Sequence, residues 1–278
     1  WDPALENSVP RVTWSRNNFD DRSTTFEHHA SVKSDSGNHL AADMDGDGDT
    51  DVVAVTGWEP YELRVYANDG GGGLAPLSAV PLSVTGFAES AQAADIDGDD
   101  DVDVVVVGGG SNPVELEAFL NDGAGVLVPA GPLLIASGEA FTLGDLDDDG
   151  LLDVFVDRGS TGLSVIHQTS PGVFELGETY GLGDYYVEDI QLADTNGDGH
   201  VDVLFQSTSS GIPGFGVLAG DGLGGLVEPA QLHGFAPGDT VQGVVVGDLD
   251  ADGLADVTLT CTLDDTHHLQ VYLAEAES

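Results

Sequence analysis

The chain has 278 residues, of which 50 are acidic and six basic, for a formal charge of −44. That balance argues against nucleic acid and anionic membrane as partners, and no run approaches the ~18–20 consecutive apolar residues of a membrane-spanning helix. Gly is abundant at 39 residues, apolar runs are short and rich in Val, and Cys261 is the only cysteine, so the chain is predicted to be all-β, rich in turns and without an intrachain disulfide.

Residues 1–36 hold no acidic loop. Trp14, Arg16 and Asn17-Asn18 read as irregular, and Phe26–Val32 reads as a strand. From about residue 37 to 87 the pattern becomes regular. A short strand, Leu40–Ala42, enters the acidic stretch Asp43–Asp51, and the β-branched run Val52–Val55 leaves it. A connecting loop with Trp58 and Tyr61 follows, then a third strand, Leu63–Tyr66. Asn68-Asp69-Gly70 reads as a hairpin turn, because both central positions tolerate positive φ. Leu74–Val84 supplies a fourth strand, in which Pro76 and Pro81 mark an outer edge, since Pro cannot donate to a ladder.

The same order recurs over about residues 88–136, 137–182, 183–236 and 237–278. The third strands are Leu116–Leu120, Leu163–Ile166, Phe215–Leu218 and Leu269–Leu273, and the fourth strands are Val126–Ile135, Phe174–Tyr180 and Leu226–Phe235. The acidic loops begin 52, 50, 49 and 54 residues apart, a period that signals a repeat architecture. Four strands per unit of about fifty residues is a propeller blade. The fifth unit has no fourth strand of its own. With Phe26–Val32 as the outer strand of that last blade the ring closes, so a single five-bladed β-propeller domain with four-stranded antiparallel blades is predicted over 1–278.

Numbered from its first Asp, each loop carries carboxylates at positions 1, 3, 5 and 9, except that the fourth has an amide at position 3. These are Asp43, Asp45, Asp47 and Asp51; Asp95, Asp97, Asp99 and Asp103; Asp145, Asp147, Asp149 and Asp153; Asp194, Asn196, Asp198 and Asp202; and Asp248, Asp250, Asp252 and Asp256. Position 7 varies freely (Asp49, Asp101, Leu151, His200, Leu254), as expected if only its carbonyl serves as a ligand. Position 6 is Gly in four loops and Asp100 in the second, which predicts positive φ there. Converging hard oxygens suit Ca²⁺, whereas Mg²⁺ prefers few protein ligands, and no Cys or His stands in the carboxylate slots to favour zinc. The helical calcium hand needs a Glu at position 12. Here that position is Ala54, Val106, Val156, Phe205 and Leu259, all strand residues. Without metal, four carboxylates in one turn repel each other, so five structural Ca²⁺ sites are predicted. Five divalent cations remove ten charges and still leave −34, so solubility in a saline medium is a further reading of the excess.

Asp-x-Asp-x-Asp-Gly-x-x-Asp-Val, followed by Leu-x-Val-Tyr/Phe and Asn-Asp-Gly, resembles the FG-GAP/VCBS repeats over about residues 37–278. The resemblance implies a β-propeller with Ca²⁺ between the first two strands of each blade, as in integrin α-subunits and many secreted bacterial proteins. It implies an extracellular or cell-surface recognition or scaffold module for a glycan or protein ligand, monomeric or part of a larger secreted chain. Seven blades with loops on only some of them is the integrin pattern, and five blades each with a loop departs from it.

Trp58, Tyr61, Tyr185 and Tyr186 are candidate ligand contacts, since exposed aromatics stack on sugar rings; blade packing is the alternative. Cys261 shares an alternating face with Val257, Leu259 and Leu263 and reads as a buried small hydrophobe. No nucleophile elbow, phosphate loop or zinc-protease motif is present. A non-catalytic module is therefore expected. The alternatives are a calcium-dependent polysaccharide lyase or hydrolase, or a purely structural repeat protein.

Overall fold

The computed structural model describes residues 11–18, 25–33, 36–56, 61–83, 88–108, 114–135, 140–158, 162–183, 185, 187–207, 213–236, 239–263 and 266–274. Among them there are strands and turns and no helix. A hairpin of β1 (Arg11–Asn18) and β2 (Thr25–Lys33) comes first. The first sheet is β3 (Ser36–Ala42), β4 (Asp51–Thr56), β5 (Glu62–Asn68) and β6 (Leu74–Pro81). The second is β7 (Ala88–Ala94), β8 (Asp103–Gly108), β9 (Val114–Asn121) and β10 (Leu127–Ile135). The third is β11 (Phe141–Gly144), β12 (Asp153–Asp157), β13 (Leu163–Ser170) and β14 (Val173–Tyr180). The fourth is β15 (Val187–Ala193), β16 (Asp202–Ser207), β17 (Gly214–Gly220) and β18 (Leu226–Gly234). The fifth has three strands, β19 (Thr240–Gly247), β20 (Asp256–Leu263) and β21 (Thr266–Tyr272). Every sheet is an antiparallel meander in chain order.

The chain divides into two compact units, Trp1–Leu134 and Ile135–Ser278. Within the first, β3 lies beside β7. Within the second, β11 lies beside β15 and β15 beside β19. The first strands of consecutive sheets thus neighbour one another, which is the propeller-like arrangement of blades.

The second strands explain the Val runs. β4, β8, β12 and β16 are buried at every residue. A strand covered on both faces needs apolar side chains on both, so alternation gives way to continuous runs. One core lies between the first two sheets, around Val53, Val65, Val104, Val106 and Phe119. In the second unit one core gathers Phe155, Val165, Val203, Phe205 and Leu218, and another gathers Leu204, Phe215, Val257, Leu259 and Cys261. Each fully buried Val or Leu contributes roughly 1.5–3 kcal/mol of transfer free energy. Cys261 is wholly buried, as its alternating face predicts. The prolines fall as expected: β6 with Pro76 and Pro81, and β10 with Pro129 and Pro132, are outer strands.

Two expectations change. Arg11–Asn18 is a strand, not an irregular segment. The strand expected over Phe26–Val32 lies within β2 and pairs with it, with Val12 opposite Val32 and Asn17 opposite Phe26. A partner a few residues away in sequence closes a short loop at small entropic cost. Asn68-Asp69-Gly70 is not a two-residue turn. The loop runs to Gly73, whose carbonyl accepts from Asp69 N–H at 3.0 Å, with positive φ at Gly70 and Gly72. The Asp69 carboxylate accepts from Gly71 and Gly73 N–H and holds this wider turn. Pro171-Gly172 forms the tight two-residue connection, with Ser170 opposite Val173.

Candidate metal centre

Each acidic loop joins the first strand of a sheet to the second, and all five fold alike. The position-1 carboxylate organises the backbone. Asp43 accepts from Gly46 N–H and Gly48 N–H, each at 2.9 Å. Asp194 does the same with Gly197 and Gly199, and Asp248 with Ala251 and Gly253. Positive φ at position 6 holds throughout: Gly48, Asp100, Gly150, Gly199 and Gly253. Position 4 is left-handed as well, including Asp148 (φ 59°) and Ala251 (φ 64°), which the sequence reading did not foresee. The two left-handed residues fold the chain tightly enough that alternate side chains point at one centre.

The position-9 carboxylates are at most 2% exposed and each plays the same part. Asp51 accepts from Met44 N–H at 2.9 Å and from Asn68 N–H at 2.7 Å. Asp103 accepts from Ile96 and Asn121, Asp153 from Leu146 and Gln168, Asp202 from Thr195 and Gly220, and Asp256 from Leu249 and Ala274. Position 9 therefore ties the start of the loop to the end of the third strand. Sequence spacing marked it only as a ligand.

Oxygens converge in four of the loops. Asp43, Asp45 and Asp51; Asp95, Asp97 and Asp99; Asp145, Asp147 and Asp149; and Asp248, Asp250 and Asp256 each bring ligand atoms within 4.8 Å of one another. The fourth loop has Asn196 at position 3, and its amide lies 3.4 Å from Asp202. Two position-3 atoms bear most directly on a cation. Asp45 Oδ1 and Asp97 Oδ1 are buried and have no hydrogen-bond partner. A buried carboxylate oxygen without a donor costs several kcal/mol unless a cation meets it. The donor set is all oxygen, so Asp43, Asp45 and Asp51, and Asp95, Asp97 and Asp99, fit a hard divalent ion.

The electrostatics agree. Burial, reinforced by neighbouring carboxylates, pushes Asp45, Asp97 and Asp250 above the usual carboxylate range. Burial pushes Asp103 up to about 6, against the opposing N–H groups of Asn121 and Ile96. The loops resist their own charge, and a cation would relieve that resistance.

Position 7 is not idle. A Cβ at Gly70, Gly123 or Gly222 would collide with the side chain of Asp49, Asp101 or His200, so this residue lies over the turn of its own repeat. His200 Nδ1 also meets Asp148 of the preceding loop at 2.8 Å, which raises the His200 pKa. Leu254 is buried and lies against Gly197 of the loop before it. Leu151 is half-buried.

Of the candidate ligand aromatics, Tyr185 is buried and meets Phe205 edge-on with centroids 6.1 Å apart, a core contact. Tyr61 is half-buried and its carbonyl accepts from Leu82 N–H. Trp58 and Tyr186 lie outside the described residues. Among the described residues no helix is long and apolar enough to cross a membrane.

The FG-GAP-like repeat family model matches residues 43–106 and 145–205. Each match begins at position 1 of one loop and ends at position 12 of the next. No curated protein matches the chain significantly. Among solved structures it is similar to BBS1N, determined in complex with ARL6DN and soaked with lead. Identity is 9% and the TM-score 0.46, over 87% of this chain and 80% of that one. It is also similar to the V. cholerae biofilm matrix protein Bap1, at 16% identity and a TM-score of 0.47. That similarity covers 95% of this chain and 40% of Bap1, so the chain spans two fifths of that protein's length.

Proposed function

We propose that this chain, which the FG-GAP-like repeat model matches over residues 43–106 and 145–205, is a calcium-stabilised, non-catalytic recognition or scaffold module. Its five sheets act as blades of one propeller that works outside the cell or at its surface. It presents loops to a glycan or protein ligand.

The observation that carries the calcium reading is the pair of buried, partnerless oxygens at position 3, Asp45 Oδ1 and Asp97 Oδ1, each inside a cluster of three acids of its own loop. Positions 1, 3, 5 and 9 would supply carboxylate or amide oxygens, and position 7 (Asp49, Asp101, Leu151, His200, Leu254) a carbonyl. A cation bound there would supply charge neutralisation and cross-linking rather than chemistry on a substrate. An extracellular-grade site, with a dissociation constant of roughly 10⁻⁴–10⁻³ M, contributes about 2.7 kcal/mol at a hundredfold excess of calcium. Several such sites together rival the stability of a whole domain.

Scanning calorimetry with and without excess chelator tests this. Chelation is expected to lower the melting temperature by well over ten degrees, with recovery on adding calcium but not magnesium. A melt that ignores chelator overturns the calcium reading. Glycan-array binding in calcium separates a recognition module from a purely structural one, and turnover of acidic polysaccharides would replace both with an enzyme.

A further inference from the structure

The first and second acidic loops are joined by an unbroken path of hydrogen bonds. It starts at Asp51, position 9 of the first loop, whose Oδ2 accepts from Met44 N–H at 2.9 Å. The Met44 carbonyl accepts from Asn121 Nδ2 at 2.9 Å, across the junction between the first two sheets. Asn121 then gives its backbone N–H to Oδ1 of Asp103, position 9 of the second loop, at 2.7 Å. Its amide also donates to the Val102 carbonyl at 3.1 Å and accepts from Gly125 N–H, so both donors and the acceptor are engaged and the side chain has one orientation. Every residue on the path is buried. Beside it, Met44, Val65, Val104 and Phe119 wall in Leu127, the first residue of β10. A path packed this closely transmits a displacement rather than absorbing it.

Each end of the path lies against the position-3 carboxylate of its own loop. Burial, and then the charge of Asp51, push the Asp45 pKa up. Burial, with smaller contributions from Asp97 and Asp99, pushes up that of Asp103. Asp45 and Asp97 also hold the two buried oxygens without a partner. Once the first loop is neutralised, Asp51 is no longer driven from Asp45 and stays on Met44. Met44 then keeps its hold on Asn121, and Asn121 presents its N–H to Asp103 before the second loop is filled.

Other repeats lack this link. Gly220 stands where Asn121 does and gives its N–H to Asp202, but has no side chain to reach back to the third loop. The third and fourth loops meet instead through the His200–Asp148 pair, which is exposed and screened by water. Asn68, the counterpart in the first repeat, holds Asp51 and the Thr50 carbonyl, both of its own loop.

We infer that the first and second cation sites are coupled through Asn121, so that filling either one raises the affinity of the other. Asn121 is a positioning residue that acts through Asp51 and Asp103, and linkage makes the effect reciprocal. The inference rests on the calcium reading above and adds to it an order of filling among the sites.

The test follows amide hydrogen exchange in residues 43–51, 95–103 and 145–153 of the full chain across a calcium titration. Asp45→Asn weakens the first loop directly. Coupling also moves the midpoint of the second loop to higher calcium by about fivefold or more, and Asp97→Asn moves the first loop by the same factor. With Asn121→Ala each cross-shift should fall below about twofold. Asn68→Ala, which removes the corresponding side-chain bonds inside the first repeat, should leave the cross-shifts in place. The midpoint of the third loop should not respond to Asp45→Asn. A second loop that fills at the same calcium concentration with and without Asp45→Asn overturns the inference. So do unequal reciprocal shifts, cross-shifts that survive Asn121→Ala, and an equal shift in the third loop, which would make the effect a general loss of order. The reciprocal shifts and the third-loop control need no change at Asn121, so they decide the coupling even where that variant does not fold. Calcium that alters exchange in none of the three loops overturns the calcium reading itself, a result distinct from loops that bind independently.

Discussion

The junction between the first and second sheets is sealed, and the junction between the fourth and fifth is open. At the first, Met44 is buried and its carbonyl accepts from Asn121 Nδ2 at 2.9 Å, reaching across from the turn of the next repeat. The same amide holds the Val102 carbonyl, and Asn121 Oδ1 accepts from Gly125 N–H. At the second, Thr195 stands where Met44 does and faces a cavity. One loop further on, Leu249 occupies that position and is 56% exposed, and Asp248, Asp250 and Asp252 around it are exposed too. The acidic loop is therefore only half of its own site. At the first junction the turn and outer strand of the following repeat supply the roof.

Substitution at position 9 gives the largest contrast. Asp103→Ala strips acceptors from two buried N–H groups, each worth about 1–3 kcal/mol. Asp256→Ala removes the same pair of bonds, but its two N–H partners are only part-buried, so its cost should fall at the low end of that range. Denaturant unfolding in calcium measures both, and equal costs would dissolve the distinction between sealed and open junctions. Position 2 comes next. Met44→Ala should cost about 2–5 kcal/mol as a buried truncation, and Leu249→Ala less than about 0.5 kcal/mol as a surface change. A destabilising Leu249→Ala would mean that this side chain is covered in solution.

The smallest effect is on pH. Folding raises the Asp103 pKa from 3.8 to about 6. The metal-free folded chain thus binds this proton more tightly than the unfolded chain. The contribution is complete below pH 3.8 and is lost as pH rises through about 6. Asp45, Asp97 and Asp250 shift in the same direction. In chelator the melting temperature should therefore fall by a few degrees between pH 4 and 7. Asp103→Asn should flatten the slope. A melt that rises over that interval contradicts the assignment.

Much of this was legible in the chain itself. A 1-3-5-9 spacing of carboxylates next to β-branched runs, repeated near every fifty residues, marks loops, second strands and order. These features are local: a left-handed glycine, a proline that cannot donate, a valine run that wants burial on both faces. The third strands and the outer edges were readable for the same reason. The role of Asp51 and its counterparts was not. Their partners are backbone N–H groups at the ends of other strands, and a backbone donor leaves no mark on the sequence. Tyr185 misled for a related reason, since an aromatic beside a loop looks alike whether it faces solvent or Phe205.

The sequence by itself determined that this is an all-β chain of five acidic-loop repeats, because turn chemistry and periodicity act over a few residues. Tertiary structure alone decided that β2 pairs with β1, that the first loop is roofed by the repeat that follows it, and that the fourth loop is left beside a cavity. Those outcomes depend on contacts between segments far apart in the chain, where loop-closure entropy and the fit of one leucine among four wall residues outweigh any local preference.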